Sequence, residues 1–316
     1  MGGYISKSRC NFKHKHPLTR SPSFKDSSSR VPSRIPSRSP SAPNLPTIIE
    51  PYSLPAQNSV DALQIAHYMF RAIWGSNYSA PVADVLKKEG SCVLDIRCGP
   101  GTWTLEMSDE FPGSYFTGID AAIMYPTEIK PRNVKFTYCA NWLENLDFPD
   151  DYFDYVYVNF LCFGLTKNDW ENKLLPEIIR VLKPGGYIEI SPCDLKWYNE
   201  GPIAKQWLKT VHKELKARNI EPAISSQIVE ILEQTGSFSQ VYSDERDHPV
   251  GSWGGEIGKT TLGCLKYYFD GLKRVLENSI TCDNGKTFEF MRNDLIDEIE
   301  EQNMYSKCIR YWAMKI

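Results

Sequence analysis

Apolar residues first recur with helical spacing after Pro51, where Leu63, Ala66, Met69, Phe70 and Ile73 fall three or four apart and predict a helix from about Ser59 to Trp74. A second helix is expected over Ala80 to Lys88, closed by Gly90. Val93-Leu94-Asp95-Ile96 then forms a short apolar run bounded by glycine-rich sequence, the pattern of a buried strand. From there the two periodicities alternate. Strands are expected at 92–96, 115–119, 134–139, 153–159 and 187–191, with helices at about 102–110, 168–182 and 202–218. A helix at 225–236 and a strand at 238–243 follow. Such alternation requires right-handed crossovers and a parallel sheet covered by helices on both faces, so the expected core is a doubly wound α/β domain. Lys183-Pro184-Gly185-Gly186 reads as the punctuation between a helix and the next strand. Two further helices, Gly258 to Glu277 and Thr287 to Gln302, precede an alternating stretch at about 306–314 that reads as a last strand. The helical residues between it and the sheet are expected to form one wall or lid of a pocket.

The first fifty residues differ from this body. They hold eleven Ser and seven Pro, and nine Lys/Arg against two Asp/Glu, leaving 27 Lys/Arg against 37 Asp/Glu for the rest. This composition cannot bury enough apolar area to offset chain entropy, so residues 1–50 are expected to be a disordered basic tail, open to phosphorylation at Ser21 or Ser39, and 51–316 the folded domain. An acidic body argues against nucleic-acid grooves, which need clustered Lys/Arg. Met-Gly-Gly-Tyr-Ile-Ser matches the N-myristoylation pattern at Gly2, with Lys7, Arg9, Lys13 and Lys15 behind it as a second membrane signal. The nine cysteines are scattered and contain no C-x-x-C pair, which points to a reducing compartment and away from zinc. No apolar run approaches the ~20 residues of a membrane span. The expected location is cytoplasmic, with membrane association through Gly2 and the nucleus both left open.

The candidate chemistry lies at Val93 to Trp103, a strand running into a glycine-rich turn and a helix. Glycines let backbone approach a ligand closely, and a helix N-terminus offers free N–H groups. The second strand ends in Asp120, placed to accept both hydroxyls of a ribose. Strand ends at one edge of such a sheet share a crevice, so Asp95, Asp120, Asn141 and Asn159 are expected to face one cleft. A nicotinamide dinucleotide also uses a strand, a glycine-rich turn and a ribose acid. It wants G-x-G-x-x-G, however, and the sixth position counted from Arg97 is Thr102, while Asp95 would repel phosphate and suit an ammonium.

At Leu94-Asp95-Ile96-x-Cys98-Gly99-Pro100-Gly101-Thr102-Trp103, Gly118-Ile119-Asp120, Pro126 to Pro131, Phe148-Pro149-Asp150, Leu182 to Gly186, Tyr198 to Pro202 and Gly251 to Gly255 the chain resembles the class I S-adenosylmethionine-dependent methyltransferases, specifically the fungal group related to secondary-metabolism regulators. The resemblance covers about Tyr52 to Ile316. It implies a Rossmann-like seven-stranded sheet whose last strand is antiparallel, N-terminal entry helices, a helical insertion before that strand, and methyl transfer from S-adenosylmethionine to an unidentified acceptor. Carried over by position, the turn comprising Asp95, Arg97, Cys98, Gly99 and Gly101 would hold the methionine moiety, Asp120 the ribose, and Asn141-Trp142 the adenine, with Ala121 and Asn159 also among the cofactor-binding residues.

Arg97 departs from the family, because a glycine of D-x-G-x-G-x-G belongs there. Bulk and positive charge at that turn are expected to weaken cofactor binding, unless the guanidinium swings out to pair with the cofactor carboxylate. A catalytically weakened protein with a binding or regulatory role is therefore the alternative. Ala121 and Ala122 depart as well. In-line methyl transfer needs positioning more than a general base, so no base is demanded of the five histidines, which lie far apart in sequence save for His14 and His16 of the tail. His67, Tyr68, Trp253 and Glu200 are each open to a structural or a substrate-facing reading, and so are Phe160, Cys162 and Phe163 after the 153–159 strand. Cys98 reads as a small packing residue.

Overall fold

The computed structural model describes residues 60–159, 165–285 and 287–316. The basic tail, Gly2 and its neighbours, and Phe160, Cys162 and Phe163 lie outside the described residues.

Five strands are parallel. β1 (Cys92–Ile96) is buried at every position, as a central strand covered on both faces must be. It pairs with β2 (Tyr115–Asp120) on one side and β4 (Phe153–Asn159) on the other. β3 (Val134–Tyr138) extends the sheet beyond β2, and β5 (Leu182–Ser191) beyond β4. The remaining two are β6 (Tyr242–Pro249) and β7 (Tyr305–Met314), with β7 antiparallel to both β5 and β6. The seven-stranded order is β3-β2-β1-β4-β5-β7-β6, which is doubly wound with an antiparallel last strand, as expected. The order reverses between β1 and β4, and a crevice at the carboxyl ends of the strands opens at such a switch.

The helices are α1 (Val60–Trp74), α2 (Ala83–Leu86), α3 (Thr102–Glu110), α4 (Lys167–Asp169), α5 (Leu175–Val181), α6 (Pro202–Lys216), α7 (Ser225–Gln234), α8 (Gly255–Asn284) and α9 (Phe288–Glu301). A π-turn at Trp170–Leu174 joins α4 to α5, so the helix expected over 168–182 is one rod with a bulge. α8 starts three residues before its expected range and runs seven past it, and α2 is a single turn in the middle of a longer expected helix.

Two expectations are corrected. The Lys183–Gly186 segment lies within β5, where Gly185 takes φ +79° and the register against β4 slips between Phe153 and Tyr155, so the glycines make a bulge in a strand. The strand expected at 238–243 forms instead at 242–249. Phe238 is buried and makes an isolated bridge to Lys315, which explains the apolar signal there. β6 itself is the edge of the sheet, largely exposed, and its Ser-Asp-Glu-Arg-Asp run has no apolar alternation to detect.

Packing divides by layer. Val93, Phe116, Tyr155 and Tyr157 of the sheet pack with Leu86 of α2 and Trp103 and Met107 of α3, and Trp103 stacks on Tyr157 at 4.0 Å between ring centroids. A second cluster joins Trp207 of α6, Phe269 and Leu272 of α8, and Phe288 and Leu295 of α9. Glu298 of α9 caps α6 by accepting the backbone N–H of Ile203 (3.0 Å) and Ala204 (2.7 Å). The structural reading of Glu200 would be a cap on this same helix, and Glu298 holds that position.

Candidate functional site

β1 delivers Asp95 to the carboxyl edge with its side chain buried. Its Oδ2 accepts the Thr104 hydroxyl at 2.6 Å. Burial pushes the Asp95 carboxyl up to about 7, the Thr104 hydrogen bond opposing and the nearby Asp120 charge adding to the shift.

The chain then turns sharply. The N–H groups of Arg97 and Cys98 both donate to the Ile119 carbonyl, at 2.8 and 3.0 Å, and Arg97, Gly99 and Gly101 take φ of 64°, 54° and 76°. Gly101 precedes the first residue of α3. A Cβ there would come within 2.3 Å of the Phe136 ring, and one at Gly118 within 2.7 Å, so these two glycines exist to let β3's phenylalanine cover the turn.

Asp120, at the end of β2, is almost wholly buried and has three donors. Its Oδ2 accepts the Gly99 N–H at 3.0 Å, while its Oδ1 accepts the Ala122 N–H at 2.9 Å and Arg97 Nη1 at 3.0 Å. The Arg97 guanidinium also lies 5.3 Å from the centroid of the Trp142 ring. The guanidinium thus turns inward, onto the residue expected to hold the ribose and over the ring expected beside the adenine.

One cavity of about 250 Å³ opens on this edge. Asp95, Arg97, Cys98, Gly99, Asp120, Trp142 and Asn159 line it, so most of the residues singled out from sequence meet there. Gly101, Ala121 and Asn141 do not. Gly101 faces Phe136, and Asn141 is exposed in a turn where its carbonyl accepts the N–H groups of Glu144 and Asn145. The Cys98 thiol is pushed well up by burial and by the Asp95 and Asp120 charges, which makes it a packing residue and not a nucleophile.

α1 covers the cavity with Leu63, Ala66, His67, Met69 and Phe70, and α8 closes it with Thr261, Cys264, Leu265, Tyr267 and Tyr268, so the late helical insertion does form a wall. His67 Nε2 bonds Glu106 at 2.8 Å, and burial lowers its pKa against that partner's pull, in keeping with the structural reading. Tyr68 is exposed and does not line the cavity, and Trp253 donates its indole N–H to the Val250 and Met304 carbonyls as a plug on the insertion. Sequence reasoning missed His248. Far from the other histidines in sequence, it comes with His67 to the same cavity, from the polar edge strand whose position was misjudged. Among the described residues no group of three or more His, Cys, Asp or Glu could hold a metal ion, and no helix is long and apolar enough to cross a membrane.

Residues 93–186 match the family described as "Methyltransferase domain". Curated relatives include methyltransferase str3 of Strobilurus tenacellus, 25% identical over 162 residues that make up 50% of this chain and 57% of that protein. The secondary metabolism regulator laeA of Coprinopsis cinerea is 26% identical over 219 residues, 63% of this chain and 53% of that protein. The chain therefore spans little more than half the length of these relatives. Among solved structures, the Haemonchus contortus phosphoethanolamine N-methyltransferase 2 in complex with S-adenosyl-L-methionine aligns over 80% of this chain and 57% of that one, at 16% identity and a TM-score of 0.42. In strand order, in the matched segment around the β1 turn and in its relatives the chain is similar to the class I S-adenosylmethionine-dependent methyltransferases, the fungal secondary-metabolism regulators among them.

Proposed function

We propose that the cavity binds S-adenosylmethionine and that the chain transfers its methyl group to a small acceptor. The observation that carries this reading is the pairing of a carboxyl and a free hydroxyl in one wall. Asp95 reaches the cavity from β1, and Thr102 Oγ1, at the start of α3, is buried there without a hydrogen-bond partner among the described residues. An amino-acid end group, ammonium to Asp95 and carboxylate to Thr102 and the first N–H groups of α3, fits both. Bound there, S-adenosylmethionine supplies an electrophilic methyl group on a sulfonium. The chain's own part is to align it, to exclude water beneath α1 and α8, and to hold the ribose on Asp120 and the adenine beside Trp142.

The ribose end fits on one condition. Arg97 Nη1 occupies Asp120 Oδ1, so the diol must displace it. That contact favours a second reading, a relative that keeps the fold with weakened cofactor binding and serves as a binding or regulatory partner.

Calorimetric titration of S-adenosylmethionine into wild type and Arg97→Gly tests both. Micromolar binding by wild type supports the enzyme, and binding by Arg97→Gly alone supports the second reading. Binding by neither, or saturable NAD binding in its place, overturns the cofactor assignment.

A further inference from the structure

Away from Asp95 and Asp120 the cavity changes character. Its walls there are Met69 and Phe70 of α1, Trp197 and Val250 at the sheet edge, and Leu265 of α8, with His248 set among them. The His248 ring packs edge-on to Phe70, 5.1 Å between centroids, and its Nε2 lies 2.8 Å from Thr261 Oγ1.

The threonine fixes the tautomer. The Thr261 hydroxyl donates to the Ile257 carbonyl one turn back in α8 (2.9 Å), a bond that donation to His248 would forfeit, and this leaves its oxygen to accept from His248. His248 Nε2 therefore carries the proton, and Nδ1 keeps its lone pair, with no partner among the described residues. Burial lowers the His248 pKa to about 4, so the ring is neutral at physiological pH. A neutral acceptor atom in an apolar wall selects for a ligand that carries a donor and no charge.

The charged groups facing the cavity agree. Asp95, Asp120 and Asp194 are carboxyls, and the Asp194 Oδ1 already accepts the Ser225 N–H at 3.1 Å. Arg97 is the one cation among the described lining residues, and it is paired with Asp120. An anionic acceptor would meet repulsion from the carboxylates and no free cation.

We infer that the half of the cavity around His248 and Thr261 is an acceptor subsite for an uncharged, largely apolar or aromatic molecule bearing a hydroxyl, which donates to His248 Nδ1. The assignment deepens the methyl-transfer reading and rests on it for the word acceptor. The binding site itself does not depend on the cofactor.

Equilibrium dialysis of the full chain, without cofactor, against 2-naphthol, naphthalene and 2-naphthoate tests it. One hydrogen bond contributes a factor of about 2 to 10, so 2-naphthol should bind about fivefold tighter than naphthalene. 2-Naphthoate should bind at least about tenfold more weakly than 2-naphthol, because the described lining offers it no unpaired cation. His248→Phe should erase the advantage of 2-naphthol over naphthalene, and His248→Gln, which keeps an acceptor, should restore part of it. The inference is overturned if 2-naphthoate binds more tightly than 2-naphthol, if the hydroxyl advantage survives His248→Phe, or if no probe binds. Loss of probe binding with cofactor binding intact removes only the subsite. Probe binding without cofactor binding removes only the enzymatic role.

Discussion

Among the described residues two arginines pair with fully buried carboxylates, and the two pairs serve different ends. Arg310 of β7 has its Nε 3.6 Å from Oε1 of Glu189 on the adjacent β5, with almost no exposed side chain on either. Glu189 also accepts the N–H groups of Ser79 (2.9 Å) and Ala80 (2.7 Å) and the Tyr155 hydroxyl (3.0 Å). Arg310 donates to the Ser76 carbonyl at 3.0 Å and lies 4.5 Å from the centroid of the Trp74 ring. This pair binds the loop after α1 to the sheet with fixed backbone donors, and nothing from solvent has a place in it. The Arg97–Asp120 pair is built otherwise. Two of Asp120's donors are backbone, but the third is a side chain that faces the cavity and retains 17% exposure. A ligand hydroxyl can take that position. Burial thus locks the first pair and leaves the second exchangeable.

The sharpest way to break this contrast is to remove one partner from each pair. Glu189→Ala leaves Arg310 buried without a countercharge and frees three donors, so it should destabilise the fold by about 3 to 5 kcal/mol in urea unfolding, with the midpoint falling at constant slope. Burial holds the Glu189 carboxyl above its ordinary range in spite of Arg310, so part of that loss should be recovered by Glu189→Gln. Equal losses from Glu189→Ala and Asp120→Ala would show that the two pairs are locked alike.

How far the sequence could be read follows the same division. β1, β2 and β4 are apolar because helices cover both faces, and their bounds were legible to within a residue; the polar edge strand β6 was not, and His248 on it was missed with it. Arg97 stands out in the sequence as an intruder in a glycine motif, but where its guanidinium goes is settled by Asp120 and Trp142, which belong to other segments of the chain. Gly101 was legible as a required glycine, but not the packing that requires it. The structure supplies a reason within the fold, because a Cβ there would run into the Phe136 ring. Gly101→Ala should therefore destabilise the protein by about 1 to 3 kcal/mol with no ligand present, from both the ring overlap and φ +76°. Phe136→Leu in the same chain should recover the overlap and leave the φ penalty. Thermal unfolding of the two variants and their double separates the terms, and full stability of Gly101→Ala would return the glycine to a ligand-facing role.

Asp95 sharpens the comparison through pH. It has no arginine, and its carboxyl titrates near 7 instead of near 4. In the free protein the proton is favoured by folding, so this group's contribution to stability is fully present below about pH 4 and is lost as pH rises through 7. A ligand ammonium prefers the carboxylate. S-adenosylmethionine affinity should then rise about tenfold per unit from pH 5 to 7 and flatten above, with a proton released on binding below 7. Calorimetry in two buffers of different ionisation enthalpy counts that proton. Affinity independent of pH across this range would show that the ammonium does not sit on Asp95.

The smallest effect isolates how Arg97 is held. A side chain at φ 64° is strained by roughly 1 kcal/mol relative to glycine, and the Asp120 contact and the Trp142 ring are what offset it. Arg97→Ala and Arg97→Gly both delete those contacts, but only glycine relieves the backbone. The glycine variant should therefore unfold about 1 kcal/mol above the alanine variant and lie close to wild type, while both bind S-adenosylmethionine more tightly because Asp120 is freed. Should the two variants be equally stable, the turn carries no strain, and Arg97 is a neutral passenger there. Should both bind the nucleoside no better than wild type, the Arg97–Asp120 pair is as closed as Arg310–Glu189, and the exchangeable donor on which the contrast rests is absent.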